Sequence, residues 1–413
     1  MAAHPPKSPD SLNPFVIGHP AEGAHFADRE VEVARIKRAF SDPSSRLVVY
    51  GERRLGKSSA MAAAAHQRRE EGGVVAVVDL AKVTSAEAAA QRVLSAVQHV
   101  IGQRWKDAAL KLVGRLRPGA VSLSAGLDAQ GIPTVSFNVA PTTAEPSPQL
   151  FTDVLDAVDA ELAERGMFMG LALDEFQRLR QWCGDDIDWP LKAMFERHRN
   201  IGYVLAGSER AMIRQMLDNK KAGLWKVVDV LDMSPIPLSV FAPWLSDRAH
   251  ATGASWDARV AASVVQIAGP RTRDVVQLAR VLWDLTHDHR KATLDDVVTA
   301  VEQLVNEQGA LHLREWTRQS TDIARKILML IADNPRTQLT SSETITRYRL
   351  GPKSSVSRNV RELLSAEVLV DIGKEGYAFD DPFFKRWVQV NALEDIGRPV
   401  PTLRDLLVTT SPR

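Results

Sequence analysis

Leu47 to Ser58 reads LVVYGERRLGKS. A short apolar run breaks at Gly51, four residues follow, and Gly56, Lys57 and Ser58 lead into an Ala-rich stretch reaching His66. Strand, glycine-bounded turn and helix start, in that order, let successive backbone N–H groups converge on an anion. The pattern predicts a phosphate-binding loop, with Lys57 reaching the β- and γ-phosphates of a nucleotide and the Ser58 hydroxyl reaching Mg2+. Arg54 and Ser59 are further candidate nucleotide contacts within and beside it.

Working outward, DREVEVARIKRAF predicts a helix behind an Asp28 cap, with Val31, Ala34, Ile36 and Phe40 as its apolar positions. Downstream, Val74 to Leu80, Met167 to Leu173 and Ile201 to Ala206 are short apolar runs of the kind buried on both faces of a parallel sheet. Helical stretches separate them, so the chain reads as an α/β domain whose ligand lies at the carboxyl ends of the strands. Between the second and third runs, VSLSAGLDAQGIPTVSFNVAP alternates around Gln130 and Gly131 and reads as an inserted β-hairpin. A partner contact and a solvated decoration both fit that hairpin.

Composition narrows the class. With 413 residues, 45% hydrophobic and 25% charged, the chain reads as two or three ordinary globular domains. No apolar run nears the roughly 18 residues a bilayer requires, and MAAHPPKSPDSLNP lacks a signal-peptide core, so a cytoplasmic protein is expected. The single cysteine, Cys183, excludes an intramolecular disulfide and reads as a passive thiol. A net charge of +1 confines any nucleic-acid contact to a local patch.

Two strand ends carry chemistry. LALDE places Asp174 to hold the hydration shell of Mg2+ and Glu175 to orient and polarise the water that attacks the γ-phosphate. Ser208, in GSER after the fourth strand, fits a polar group between that water and the γ-phosphate, and equally a helix N-cap. Arg271 and Arg273 follow Gly269 and Pro270 in a helical region. Arg271 is the better candidate for a lid arginine that reports on nucleotide, against a solvated helix arginine. For an arginine supplied in trans, Arg197, Arg199, Arg210 and Arg214 are equivalent candidates.

Near the C-terminus, helical patterns at Thr321 to Ala332, Ser341 to Tyr348 and Ser354 to Ala366 precede VLVDIGKEGYAF, which reads as two strands around a turn at Lys374 to Gly376. Three helices and a hairpin make a winged helix-turn-helix. Val356, Val360, Leu363 and Leu364 form the third helix's inward stripe. Lys353, Ser354, Arg358 and Arg361, with Lys374 in the wing, are the candidate DNA contacts, and Arg347 and Arg349 lie nearby. Winged helices also dock proteins, so that alternative stands beside DNA.

With these residues in hand, the chain resembles P-loop ATPases of the AAA and STAND assemblage, close to the archaeal ATPase family also found in bacteria. The resemblance spans roughly residues 13 to 390. It rests on NPFVIGHP, HFADREVEVARI, YGERRLGKSS, LALDEFQ, LAGSERAM and YAFDDPFFKRW. It implies a five-stranded sheet, a helical lid and a winged helix, with phosphate binding at Gly51, Gly56, Lys57 and Ser58, metal and water activation at Asp174 and Glu175, and sensing at Ser208. Glu52 departs from the family, where a proline is common, and the Gly-Pro-Arg of the lid mixes STAND-like and AAA-like elements. The expected division is a flexible arm over 1–20, an ATPase domain over 21–240, a helical lid over 241–318, a winged helix over 319–390 and a tail over 391–413. The expected function is a Mg2+-dependent ATPase that controls DNA binding, or assembly on double-stranded DNA, by its ATP or ADP state. The alternatives are a nucleotide switch in signalling or defence with a protein partner, and a binding fold with negligible turnover. A homo-oligomer fits any of these readings.

Overall fold

The computed structural model describes residues 13–18, 26–101, 121–127, 133–139, 148–184, 187–218, 223–224, 226–287 and 291–408. The chain divides into two compact units, Gly18–Pro235 and Met1–Ile17 with Ile236–Arg413.

Gly18–Pro235 runs α1 (Glu30–Ser41), β1 (Arg46–Tyr50), α2 (Lys57–Glu70), β2 (Val75–Asp79), α3 (Ala86–Ile101), β3 (Val121–Leu127), β4 (Pro133–Val139), α4 (Pro148–Glu164), β5 (Met169–Asp174), α5 (Arg178–Cys183), α6 (Asp188–Arg197), β6 (Ile201–Gly207), α7 (Arg210–Asp218) and β7 (Asp229–Asp232). Five strands form one parallel sheet in the order β2-β5-β6-β1-β7. Period-two alternation sends successive residues to opposite faces, and both faces are apolar because both are covered. Val48, Leu171, Leu173, Tyr203 and Leu205 pack with α3 and α4. Leu47, Val49, Ala172, Val204 and Ala206 pack with α1 and α2. The inserted strands β3 and β4 pair antiparallel, Val121 opposite Val139; their turn around Gln130 and Gly131 lies outside the described residues.

The start of α1 differs from expectation. Asp28 does not cap it; Asp28 and Arg29 are both left-handed (φ 55° and 84°), and the Arg29 guanidinium donates to Glu32 at 2.8 Å and to the Ser234 carbonyl at 2.6 Å. The buried face is therefore Val33, Ile36, Ala39 and Phe40, while Val31 is 78% exposed.

The other unit holds α8 (Leu238–His250), α9 (Ala258–Ala268), α10 (Thr272–Thr286), α11 (Leu294–Glu307), α12 (Gly309–Arg318), α13 (Asp322–Asp333), α14 (Ser342–Tyr348), α15 (Lys353–Ser365), β8 (Leu369–Asp371), β9 (Tyr377–Phe379), α16 (Pro382–Asn391) and α17 (Leu403–Val408). The helices α13 to α15 and the β8–β9 hairpin enclose one core, built from Ile327, Leu330, Val356, Val360, Leu363 and Phe379. That is a winged helix.

Among the described residues, 13–18 and 391–408 differ from the sequence reading. The expected loose arm is anchored between Asn13 and Ile17: Phe15 is fully buried and stacks on Trp256 at 5.3 Å, and the Asn13 amide donates to the Arg280 carbonyl at 2.9 Å. The expected tail contains α17 and buries Leu393, Leu403 and Leu407. An aromatic or leucine that finds an apolar partner distant in sequence outweighs the cost of ordering a few residues. Among the described residues no helix is long and apolar enough to cross a membrane.

Candidate nucleotide site

At the carboxyl ends of β1, β5 and β6 the expected groups converge. Gly51 ends β1 where a Cβ would meet the Met233 carbonyl at 2.6 Å, so only glycine lets the chain turn there. Gly56, at φ 93°, starts α2 from a conformation other residues avoid. Lys57 is buried, and its ammonium donates to the Gly51 and Glu52 carbonyls at 2.9 and 2.7 Å, which centres the charge on the loop. Arg54, within the loop, is left-handed at φ 67°.

Ser58 Oγ donates to Asp174 Oδ2 at 2.6 Å, joining the loop to the acidic strand end. Burial pushes the Asp174 carboxyl above its usual range; the Ser58 hydroxyl opposes this, and the nearby Glu175 and Asp79 add to it. Crowded acidic oxygens next to a hydroxyl suit a hard divalent cation. Among the described residues no three His, Cys, Asp or Glu side chains gather to hold a metal by themselves. The Ser58 hydroxyl and the Asp174 carboxylate fit Mg2+, which is held by one or two protein oxygens together with phosphate and water.

Topology decides where Ser208 lies. Because β6 pairs with both β1 and β5, its end sits between the phosphate loop and the acidic pair. Ser208 Oγ donates to Glu175 Oε2 at 2.9 Å and accepts from Arg53 Nε at 3.4 Å. Glu175 is left-handed at φ 55°, a strained conformation for a residue with a side chain. Gln177 Nε2 donates to the same Glu175 Oε2. Gln177 and Arg53 were not among the expected site residues; the Gln of LALDEFQ was the available signal for the first.

Arg271 is not among the groups this unit brings together. It belongs to the other unit, where its buried guanidinium pairs with Asp380 Oδ1 at 2.7 Å and donates to the Asp380 carbonyl. Next to it in sequence, Asp381 caps α16 through the Phe383 and Phe384 amides. Burial opposes the Asp381 charge, but His312 and those two amides hold its carboxyl below the usual range. Arg197 pairs with Asp156 at 2.7 Å and Arg199 donates to the Glu196 carbonyl; both precede β6, at the end of the sheet away from the loop. The Arg210 and Arg214 side chains lie outside the described residues. Burial, with Glu87 adding to it, pushes the Cys183 thiol up to about 11, which keeps it protonated and inert.

On the winged helix, Lys353, Ser354, Ser357, Arg358 and Arg361 are exposed on α15, while Val356, Val360 and Leu363 are buried. Leu364 is half-buried. Arg361 and Lys374 line a concavity between α15 and the wing, and Arg336, from the α13–α14 connection, lines it too. Arg336 escaped the sequence reading because only the fold carries that connection to α15.

Residues 312–390 match the family described as "Probable winged helix domain". Among solved structures, the chain is similar to the Walker-type ATPase of Pyrococcus abyssi, with 16% identity and a TM-score of 0.61 over 91% of this chain and 100% of that one. It is also similar to the Aeropyrum pernix ORC2 protein in its ADPNP–ADP complexes, with 16% identity and a TM-score of 0.53 over 96% and 97%. No curated protein matches it. The fold is that of the P-loop ATPases with a C-terminal winged helix, as the motifs lead one to expect.

Proposed function

We propose that this protein binds ATP at the Gly51–Ser58 loop, hydrolyses it, and uses the nucleotide state to control DNA binding or assembly on DNA through the winged helix. The observation that carries this reading is the meeting of Lys57, Ser58, Asp174, Glu175 and Ser208 at neighbouring strand ends, with Ser58 on Asp174 and Ser208 on Glu175. Lys57, Arg54 and the loop amides bind and orient the phosphates, with Ser59 behind them. Ser58 and Asp174 would hold Mg2+, which when bound neutralises charge on the β- and γ-phosphates. Glu175 orients the attacking water and takes up its proton, while Ser208 bridges this region to the γ-phosphate. Positioning and charge neutralisation suffice for phosphoryl transfer.

The DNA face is α15 and the wing, with Lys353, Ser354, Arg358, Arg361 and Lys374 meeting phosphates and base edges. The organisation consistent with this reading is an ATPase domain over 21–240, a helical lid over 241–318 and a winged helix over 319–390, in a cytoplasmic protein that forms a homo-oligomer on DNA. In such an assembly the candidates for an arginine that serves a neighbour's site are Arg197, Arg199, Arg210 and Arg214. A second reading, a nucleotide switch with a protein partner, is favoured by the buried Arg271–Asp380 pair. That pair spends the lid arginine on the winged helix instead of leaving it for phosphate.

Steady-state ATP hydrolysis with and without double-stranded DNA tests the two. Stimulation by DNA, with turnover reduced about 100-fold in Glu175→Gln and ATP binding retained, is the expected result. Binding to DNA should weaken steeply with salt, and Arg358→Ala and Arg361→Ala should each lower the slope by about one. Salt-insensitive retention of a protein partner without DNA affinity overturns the DNA reading.

A further inference from the structure

Gln177 lies beside the site with no task in the mechanism above. It is fully buried, and although it sits at the N-cap of α5 its side chain makes no cap bond. Burying a primary amide is costly unless its hydrogen bonds are used. Its Nε2 is used, on Glu175 Oε2. Its Oε1 has no partner among the described residues and faces Gly207, where a Cβ would lie 2.3 Å away. A reversed amide would set Oε1 against the carboxylate, so the acceptor-only carboxylate fixes the orientation. β6 thus ends in glycine where Gln177 must pass to reach Glu175.

The two oxygens of Glu175 are consequently unequal. Oε2 accepts from both Gln177 and Ser208, whereas Oε1 has no hydrogen bond among the described residues. We infer that Gln177 is the positioning residue for Glu175, an inference that rests on the proposed role of Glu175 in hydrolysis. In that step the water oxygen bonds to the γ-phosphorus, the bridging P–O bond breaks with its electron pair leaving on ADP, and the water proton passes to Oε1. Ser208 can turn toward the γ-phosphate, while Gln177 keeps Oε2 fixed throughout.

Gln177→Met keeps the volume and removes the donor. The expected result is kcat lower by about 10-fold with an ATP KM within about twofold of the parent. Gly207→Ala should lower kcat in the same direction by pushing the Gln177 carboxamide away from Glu175, which covers a Gln177→Met protein that fails to fold. An unchanged kcat in folded Gln177→Met overturns the inference, as does a fall in kcat matched by equal losses of ATP affinity and thermal stability. Glu175→Gln is measured alongside. If it turns over as fast as the parent, the reading of Glu175 itself fails. If it is slow while Gln177→Met matches the parent, only the role of Gln177 fails.

Discussion

At the amino end of the parallel sheet, Arg46 is 6% exposed, and its two terminal nitrogens donate to the carbonyls of Pro43, Ser45, Phe195, His198 and Ile201 at 2.8 to 3.0 Å. Its guanidinium also lies over the Tyr203 ring at 5.1 Å. Beside it, His198 sits between Tyr203 and Asp156, at 2.7 Å from each. Burial raises the Tyr203 pKa and lowers that of His198, so the phenol donates to a neutral Nδ1 while Nε2 donates to the carboxylate. At the carboxyl end of the same strands, Glu175 is held by one oxygen on a strained backbone, Gln177 has an unpaired oxygen, and burial keeps Asp174 above its usual pKa. Both ends bury charge. Each end leaves a buried polar atom unpaired among the described residues, Arg46 Nε and Gln177 Oε1, and what distinguishes the candidate site is the left-handed Glu175 backbone and the two adjoining carboxylates beside a phosphate loop.

The contrast breaks if substitutions at the two ends act alike. Arg46→Met should have the largest effect, about 3 to 5 kcal/mol of stability in urea unfolding, since it strands several carbonyls in a closed interior. ATP turnover per folded molecule should be unchanged, and a selective loss of turnover would erase the distinction. Lys57→Ala should do the opposite, weakening ATP binding by about 100-fold in calorimetric titration while leaving the nucleotide-free Tm nearly intact.

Ser208→Ala sharpens the comparison further. It removes one of the two bonds to Glu175, and kcat should fall about 10-fold with little change in unfolding midpoint. The smallest effect is on pH dependence. Because burial depresses the His198 pKa in the fold, protonation favours the unfolded chain. The stabilisation is complete above the unfolded value of about 6.5 and is lost as pH falls from there through the folded value. Thermal scans from pH 7 to 5 should show this decline, and His198→Gln should flatten it.

The phosphate loop was legible because its chemistry is contiguous: Gly51, Gly56, Lys57 and Ser58 shape one turn among themselves. The helices of the winged helix were legible by their periodicity, and Ser341 and Thr321 cap α14 and α13 as short-range rules require. β7 was not legible as a strand. It has four residues with an aspartate at each end, and it exists because β1 offers an open edge about 180 residues earlier. Phe15 read as part of a loose arm because its stacking partner, Trp256, lies in a distant helical region. Arg271 was legible as an arginine at a helix start, but its pairing with Asp380 was not.

The sequence by itself determined the loop, the acidic strand end and the order of helices and hairpin in the winged helix, because each depends on neighbours within a few residues. Tertiary structure alone decided that β6 lies between β1 and β5, which brings Ser208 and Gln177 onto one oxygen of Glu175. Strand order is set by pairing across long stretches of chain, so the partners of Glu175 exist only once the sheet has formed.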